Sequence, residues 1–208
     1  MIRKHWLWVL LFTFSLQGCA TMKLQDKYSE ELPVLTIEQY FQGVTYAKGE
    51  FVDLFGKVRN RFEVIMRGRV EGNVLILDED FIYEDGSTSN RLWKIKILAD
   101  GHYEGEAGDV IGIATGRSKG NTFNWTYEMD LPIKGRSWRV KFDDWLFLQK
   151  NGQILNIADV SKWGFTLGTL TFYFSKDRSL ISDESLKKFR LDDPIASGNT
   201  GNEHHEKH

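Results

Sequence analysis

A strict alternation of apolar and polar residues runs through most of this chain, from residue 46 to residue 174. In the clearest stretch, residues 123–131, Phe, Trp, Tyr, Met and Leu alternate with Asn, Thr, Glu and Asp. Successive side chains of a β-strand point to opposite faces, so a period of two predicts antiparallel strands with one buried face. No part of this region shows a helical period. The pattern therefore predicts an all-β fold.

Short turn sequences built around glycine separate the alternating runs. They are Asp85-Gly86, Asp100-Gly101, Lys119-Gly120-Asn121, Lys134-Gly135 and Asn151-Gly152. Asp-Gly and Asn-Gly favour tight hairpins because their residues tolerate a positive φ. The turns predict eight or nine long strands, at roughly 46–55, 57–69, 73–84, 90–99, 102–116, 121–131, 137–149, 153–159 and 164–175.

A meander of this many strands has two exposed edges unless it closes on itself, and closure into a barrel removes both. Four glycines at positions 105, 108, 112 and 116 fall within the run 102–116. Glycines inside a strand indicate strong bending or a close backbone approach, which favours closure. We therefore expect an antiparallel meander closed into a barrel, with two stacked sheets as the alternative.

The segments that flank the barrel have a different character. Residues 36–42 predict a short helix, because Thr36 and Gln39 have the spacing of a capping box. Its apolar face would pack onto the barrel as a plug or lid. After residue 176 the alternation stops; residues 182–191 predict a short helix, and residues 192–208 have the composition of a disordered tail. The barrel domain is thus expected at 34–176 and the C-terminal segment at 177–208.

The N-terminus has the form of a secretory signal peptide over residues 1–18. Arg3 and Lys4 precede an apolar run that is too short to span a bilayer, and Gly18 ends it. The sequence Leu16-Gln17-Gly18-Cys19 resembles the lipobox of bacterial lipoproteins, which implies an acylated Cys19 that anchors the chain in a lipid bilayer. Residues 19–33 would then form a flexible tether. An ordinary signal peptide with an incidental cysteine is the alternative.

This N-terminus also predicts a location and restricts the chemistry. By the same resemblance, Ala20 after the cysteine implies the inner leaflet of the outer membrane of a Gram-negative cell, facing the periplasm. Cys19 is the chain's only cysteine, so disulfides, thiolate nucleophiles and cysteine metal sites are excluded. Between the signal peptide and the tail, His102 is the only histidine. We expect no catalytic triad, no metal site and no cofactor.

Charge excludes further classes of function. Without Arg3 and Lys4 the chain carries 25 basic and 29 acidic residues, with no basic stripe, which argues against nucleic-acid binding. A membrane-spanning barrel would turn the charged strand faces toward a water-filled lumen, as in Lys94, Lys96 and Glu128, and the lipid anchor makes that arrangement unnecessary. The oligomeric state stays open.

Two acids are placed on otherwise apolar faces. Asp144 shares a face with Val140 and Phe142, and Asp109 is expected on the face of Tyr103. Inside a barrel each carboxylate would need a partner, since an unpaired buried charge costs several kcal/mol. Arg91 and Arg61 are the candidates. Such a cluster is either a structural lock or a polar anchor for a ligand.

The apolar strand faces are rich in aromatic residues. The members with a candidate role are Trp93, Tyr103, Trp125 and Trp138. Aromatic side chains pack well in strands, so they form either a plain core or the wall of an apolar pocket. With Asp109, Asp144 and Arg91, they are our candidate ligand-binding residues.

Several runs together resemble a known family. They are residues 40–43, 49–56, 59–62, 78–86, 105–112 and 142–145, the last containing Asp143-Asp144-Trp145. Over about residues 36–176 the chain resembles the family catalogued as domain of unknown function 3833. The resemblance implies a proteobacterial lipoprotein with a lipocalin-like barrel and carries no established catalytic residues.

Three functions follow as hypotheses. The first is a lipoprotein, not an enzyme, whose barrel binds a small apolar ligand such as a fatty acid or lipid. The second is an accessory envelope protein with a filled barrel that acts through a protein partner. The third is an enzyme that uses Asp109 and Asp144 on a lipid-like substrate.

Overall fold

The computed structural model describes residues 33–133 and 135–181, which form one closed antiparallel barrel. A short helix, α1 (Ile37–Tyr40), precedes the strands. The strands are β1 (Gly43–Asp53), β2 (Val58–Glu71), β3 (Val74–Tyr83), β4 (Thr88–Ile97), β5 (His102–Glu106), β6 (Val110–Lys119), β7 (Thr122–Ile133), β8 (Arg136–Leu148), β9 (Ile154–Lys162) and β10 (Phe165–Ser175). Single 3₁₀ turns lie at Ala99–Gly101 and Arg178–Leu180.

The strands follow one another around the barrel in sequence order, and β10 pairs with β1 to close it. In that closing pair, Tyr46 is opposite Ser175 and Asp53 is opposite Gly168. The predicted all-β meander and its closure are confirmed, with ten strands in place of eight or nine. The described residues contain no helix that is long and apolar enough to cross a membrane.

The extra strand comes from the run 102–116, which was expected to be one strand. The structure divides it into β5 and β6, joined by a turn at residues 107–109. Asp109 therefore lies in this turn. The prediction that it shares a strand face with Tyr103 is wrong. A further irregularity follows, because Gly112 has a positive φ of 70° and the β6–β7 register shifts between Ile111 and Thr115.

The helix closes one end of the barrel, which we call the plugged end. The Leu35 N–H donates to the Gly120 carbonyl oxygen at 2.8 Å, and Leu35, Ile37 and Phe41 are almost fully buried. Thr36 precedes the helix as predicted, but its side chain makes no capping hydrogen bond. The fit is tight: a Cβ on Gly68 would lie 2.0 Å from the Phe41 carbonyl oxygen.

The opposite end, which we call the mouth, consists of the β1–β2, β3–β4, β5–β6, β7–β8 and β9–β10 connections. Between the two ends the apolar strand faces point inward, as the alternation predicted. Trp93 and Trp125 meet edge to face at 5.5 Å, and Tyr127 stacks on Phe142 at 5.0 Å between ring centroids. Aromatic side chains thus fill much of the interior.

Parts of the sequence-based expectations lie outside the described residues. These are the signal peptide, Cys19 and nearly all of the tether, the short helix expected at 182–191 and the tail at 192–208.

Candidate functional site

A cavity of about 90 Å³ lies inside the barrel, against the buried face of the plug. Most of its lining is apolar, but three ionisable side chains, Glu79, Arg91 and Asp144, also face it. The remaining lining residues are Ile37, Phe41, Met66, Leu77, Phe81, Trp93, Ile95, Phe123, Trp125, Tyr127, Leu146, Asn156, Phe172 and Phe174. Apolar walls with a few convergent polar groups are typical of a small-molecule site.

Arg91 on β4 is the only cation that lines this cavity among the residues the structure describes. Its Nε lies 3.1 Å from Oδ1 and 3.0 Å from Oδ2 of Asp109, and its Nη2 lies 2.9 Å from Oδ2. The guanidinium also lies 3.9 Å from Glu79, the residue opposite Arg91 on β3, and 5.3 Å from the centre of the Phe81 ring. The shortest hydrogen bonds of Arg91 are thus those to Asp109, at the mouth.

Asp144 reaches the cavity from the other side of the barrel. It lies on β8 opposite Trp125 of β7 and Ala158 of β9, and it is buried. Its Oδ1 is a buried acceptor that has no hydrogen-bond partner within residues 33–133 and 135–181. Leaving a buried acceptor without a hydrogen bond is unfavourable by about 1–3 kcal/mol. Oδ1 of Asp144 can therefore accept a hydrogen bond from a donor group of a ligand.

Burial changes the ionisation of these groups. It raises the pKa of Glu79 to about 7, although the positive charge of Arg91 works against the rise. It likewise raises the pKa of Asp144 to about 7, with Tyr127 and Arg91 opposing it. For Arg91, burial works against the charge, but Tyr127, Glu79 and Asp109 outweigh it and its pKa is raised. Both cavity carboxyls are therefore protonated more readily than ordinary surface acids.

The charges around the cavity are unequal. Three carboxyl groups, those of Glu79, Asp109 and Asp144, share one guanidinium. Asp109 already binds Arg91 directly, and although Trp93 and Tyr127 donate to Glu79 and Asp144, Oδ1 of Asp144 still lacks a donor. The arrangement is suited to a ligand group that donates hydrogen bonds or carries a positive charge, such as a hydroxyl or an ammonium.

The structure brings four of the predicted ligand-binding residues together. Arg91, Trp93, Trp125 and Asp144 all line the cavity. Asp109 joins them indirectly, through Arg91. The predicted pairing of the acids with Arg91 is present for Asp109, whereas Arg61 contacts Glu50 and Glu84 instead.

Two aromatic residues lie elsewhere than predicted. Tyr103 is buried, but its hydroxyl donates to Glu38 of α1 at 2.8 Å, so it helps to hold the plug. Trp138 is 38% exposed, and the Lys162 Nζ lies 4.2 Å from its ring centre. Neither lines the cavity. Alternation assigns a side chain to a face, but it does not say how far along the barrel that side chain lies.

Sequence reasoning missed Glu79, the second cavity carboxyl. The signal was present, because Glu79 occupies the same strand face as Leu75, Leu77 and Phe81, all of which are buried. An acid on an otherwise apolar strand face indicates a carboxyl group inside the barrel, and this applies to Glu79 on β3 as it does to Asp144 on β8.

Comparison with known proteins identifies the family of this chain. The chain matches the model of a family described as "Protein of unknown function (DUF3833)" over residues 13–176. The chain belongs to this family. The DUF3833 match includes all ten strands, the plug and Cys19, and it confirms the resemblance found in the sequence. A search of curated proteins finds no match.

Proposed function

We propose that this DUF3833 protein is a membrane-anchored lipoprotein of the bacterial envelope, not an enzyme, whose barrel binds one small ligand. The ligand is apolar over most of its surface and carries a hydrogen-bond-donating or cationic end. The observation that supports this proposal is the unpartnered Oδ1 of Asp144, buried beside a mostly apolar cavity.

Cavity size restricts the ligand. At about 90 Å³ the space is smaller than the roughly 150 Å³ cavity that holds benzene in an engineered protein interior. A fatty acid or lipid chain would enter only if aromatic side chains moved aside. Its carboxylate would also meet Glu79 and Asp144, while Arg91 is engaged by Asp109. These features favour a short amine or alcohol, or such a group at the end of a longer lipid.

The lipoprotein part of the proposal depends on the N-terminal sequence. The apolar run that ends at Leu16-Gln17-Gly18-Cys19 supports acylation of Cys19, and the family match begins at residue 13 and so includes this cysteine. In cells grown with labelled palmitate, Cys19→Ala is expected to abolish incorporation into the protein. Incorporation equal to that of the wild type would refute the anchor.

The ligand part is tested with small probes of equal length. Butylamine, butanol and butanoate are added to the purified protein at millimolar concentration, and the thermal unfolding midpoint is measured. We expect the largest upward shift with butylamine, a smaller one with butanol and none with butanoate. Native mass spectrometry of protein purified from cells tests whether a natural ligand is retained.

Variants assign the effect to the cavity. Asp144→Asn removes the charge while keeping the shape, and it is expected to abolish the butylamine shift. Glu128→Gln is the matched control, because Glu128 is an exposed acid on the neighbouring strand β7. A shift that persists in Asp144→Asn, or equal shifts with butylamine and butanoate, would contradict the proposed site. The filled barrel that acts through a protein partner would then be favoured.

A further inference from the structure

Four large apolar side chains project from two neighbouring turns at the mouth. Trp163 is 87% exposed, Phe55 83%, Phe165 75% and Leu54 59%. The turns are adjacent because β1 pairs with β10, and the Leu54 N–H donates to the Leu167 carbonyl oxygen at 3.1 Å. We call Leu54, Phe55, Trp163 and Phe165 the tip patch. Such a concentration of exposed aromatics marks an interaction surface.

Trp163 lies at a turn position whose backbone conformation favours asparagine over a bulky aromatic residue. The β9–β10 turn has two residues, and φ is +53° at Trp163 and +83° at Gly164. Positive φ at both positions is typical of a type I′ turn, which prefers Asn-Gly. A bulky aromatic residue in this left-handed region is strained. Because the exposed indole gains little from packing, the choice of Trp163 is better explained by a role at the surface.

Phe55 is held outward by a well-ordered turn. Oδ1 of Asp53 accepts hydrogen bonds from the Phe55 and Lys57 N–H groups, each at 3.0 Å. Its other carboxylate oxygen binds Arg59. These contacts fix the backbone on both sides of Phe55 without burying its ring. The backbone that presents Phe55 therefore loses little freedom when the side chain binds.

Each of the two turns that carry the tip patch has a lysine beside it. Lys57 and Lys162 flank it, residues 160–168 contain no acid, and the carboxylate of Asp53 is paired with Arg59. The Lys162 Nζ lies 4.2 Å from the ring centre of Trp138 and 4.8 Å from that of Trp163. Tryptophan beside lysine is typical of surfaces at the bilayer interface, where the indole enters the headgroup layer and the ammonium meets lipid phosphate.

We propose that the tip patch docks the mouth of the barrel onto an anionic lipid bilayer. The large apolar side chains enter the headgroup region, and Lys57 and Lys162 contact lipid phosphates. This inference is independent of the ligand proposed for the cavity, because no residue of the tip patch lines that cavity.

The position of the N-terminus suggests what the docking would do: define the orientation of the barrel on the membrane. The described chain begins at Pro33 and reaches the barrel at the plugged end, through Leu35 and Gly120. An anchor at Cys19 therefore attaches the end opposite the mouth. The fourteen positions from Cys19 to Pro33 reach roughly 50 Å when fully extended, so an anchor alone leaves the orientation of the barrel unrestricted. The tip patch supplies a second contact that defines it.

The test measures contact at each end of the barrel separately. In the mature chain, residues 19–208 with Cys19→Ser, Thr166→Cys places an environment-sensitive fluorophore on an exposed residue beside the tip patch, and Asn73→Cys places it at the plugged end. Vesicles of equal parts phosphatidylglycerol and phosphatidylcholine carry nitroxide lipids that quench nearby fluorophores. We expect the fluorophore at 166 to shift to the blue and be quenched more strongly than the one at 73.

The tip patch is then altered. Trp163→Asn with Phe165→Ser is expected to raise the lipid concentration for half-maximal quenching at 166 about tenfold. The matched control, Val70→Ser with Leu180→Ser, removes exposed apolar residues away from the tip patch and should leave it unchanged. The proposal is overturned if the fluorophore at 166 is not quenched, or if quenching survives the tip variant. A blue shift without vesicles that grows with protein concentration would assign the patch to a second copy and also overturn it.

Discussion

The two ends of this barrel are built from the same alternating strands, but their apolar side chains are buried at one end and exposed at the other. At the plugged end, Leu35, Ile37 and Phe41 seal the interior and are themselves buried. At the mouth, Phe55, Trp163 and Phe165 are nearly as apolar and lie in solvent. Closure of a sheet satisfies the strand edges, but it leaves two open ends that only residues outside the strands can cover.

In this fold, the residues that stabilise the barrel and the residues that we expect to bind partners lie at different ends. Buried residues at the plugged end contribute packing, and a change to one of them should be measured as lost stability. Residues at the mouth contribute little packing, so changes there should affect binding while the fold tolerates them. The charged cluster of Glu79, Arg91 and Asp144 lies between the two ends and combines both properties, since its two acids are buried and yet Oδ1 of Asp144 has no hydrogen-bond partner among the described residues.

The largest effect is expected at the plugged end, from Gly68→Ala. The added Cβ would lie 2.0 Å from the Phe41 carbonyl oxygen, so either β2 or the plug must move. We expect the free energy of unfolding, measured by denaturant titration, to fall by about 2–4 kcal/mol. Gly108→Ala is the control, because its Cβ would meet no atom within 4 Å and should change stability by less than about 0.5 kcal/mol. Equal losses in both variants would show that the plug is not the cause.

An intermediate effect is expected from the buried acids, as a dependence of stability on pH. Burial raises the pKa of Glu79 and Asp144 to about 7, above the values of about 4 in an unfolded chain. The folded state therefore holds more protons than the unfolded state between these values, and stability falls as pH rises from about 4 to 7. We therefore expect the free energy of unfolding, measured by denaturant titration, to fall steadily between pH 5 and pH 8.

Variants identify the groups responsible for this slope. Glu79→Gln combined with Asp144→Asn should remove most of it and make the protein more stable than the wild type at pH 8. Glu128→Gln, which changes an exposed acid, should keep the wild-type slope. A double variant with an unchanged slope would mean that the cavity carboxyls stay ionised across this range.

The smallest effect is expected at the mouth, and it has the opposite sign. Trp163→Asn places a residue that tolerates positive φ in the β9–β10 turn, so the free energy of unfolding should rise by about 0.5 kcal/mol. Trp163→Phe keeps the strain and should leave stability unchanged. A loss of stability in Trp163→Asn would show that the indole packs on the barrel and would weaken the contrast between the two ends.

The strands could be predicted from sequence because their signal is local: a period of two and a glycine turn are visible within a few residues. The β5–β6 turn was missed because residues 107–109 interrupt the run 102–116 without the Asp-Gly or Asn-Gly signature of the other turns. Asp109 was consequently placed on a strand face, although its partner Arg91 was among the candidates.

The site was harder to predict because it depends on contacts between distant strands. Alternation shows that Asp144 and Trp138 share the inward side of β8, but only the closed barrel shows that one is buried and the other is at the mouth. The small size of the cavity likewise depends on how the rings of Trp93, Trp125 and Tyr127 interlock. No spacing within a single strand contains that information.

The seam between β1 and β10 has a mechanical consequence. Both strands leave the barrel at the plugged end, where Tyr46 is opposite Ser175, and they run side by side toward the mouth. Tension between residues 43 and 175 would load the hydrogen bonds of this pair one after another, as in a zipper, and not all at once. The barrel should therefore open at low force when pulled by its two termini, and resist far more when pulled between its plugged end and its mouth.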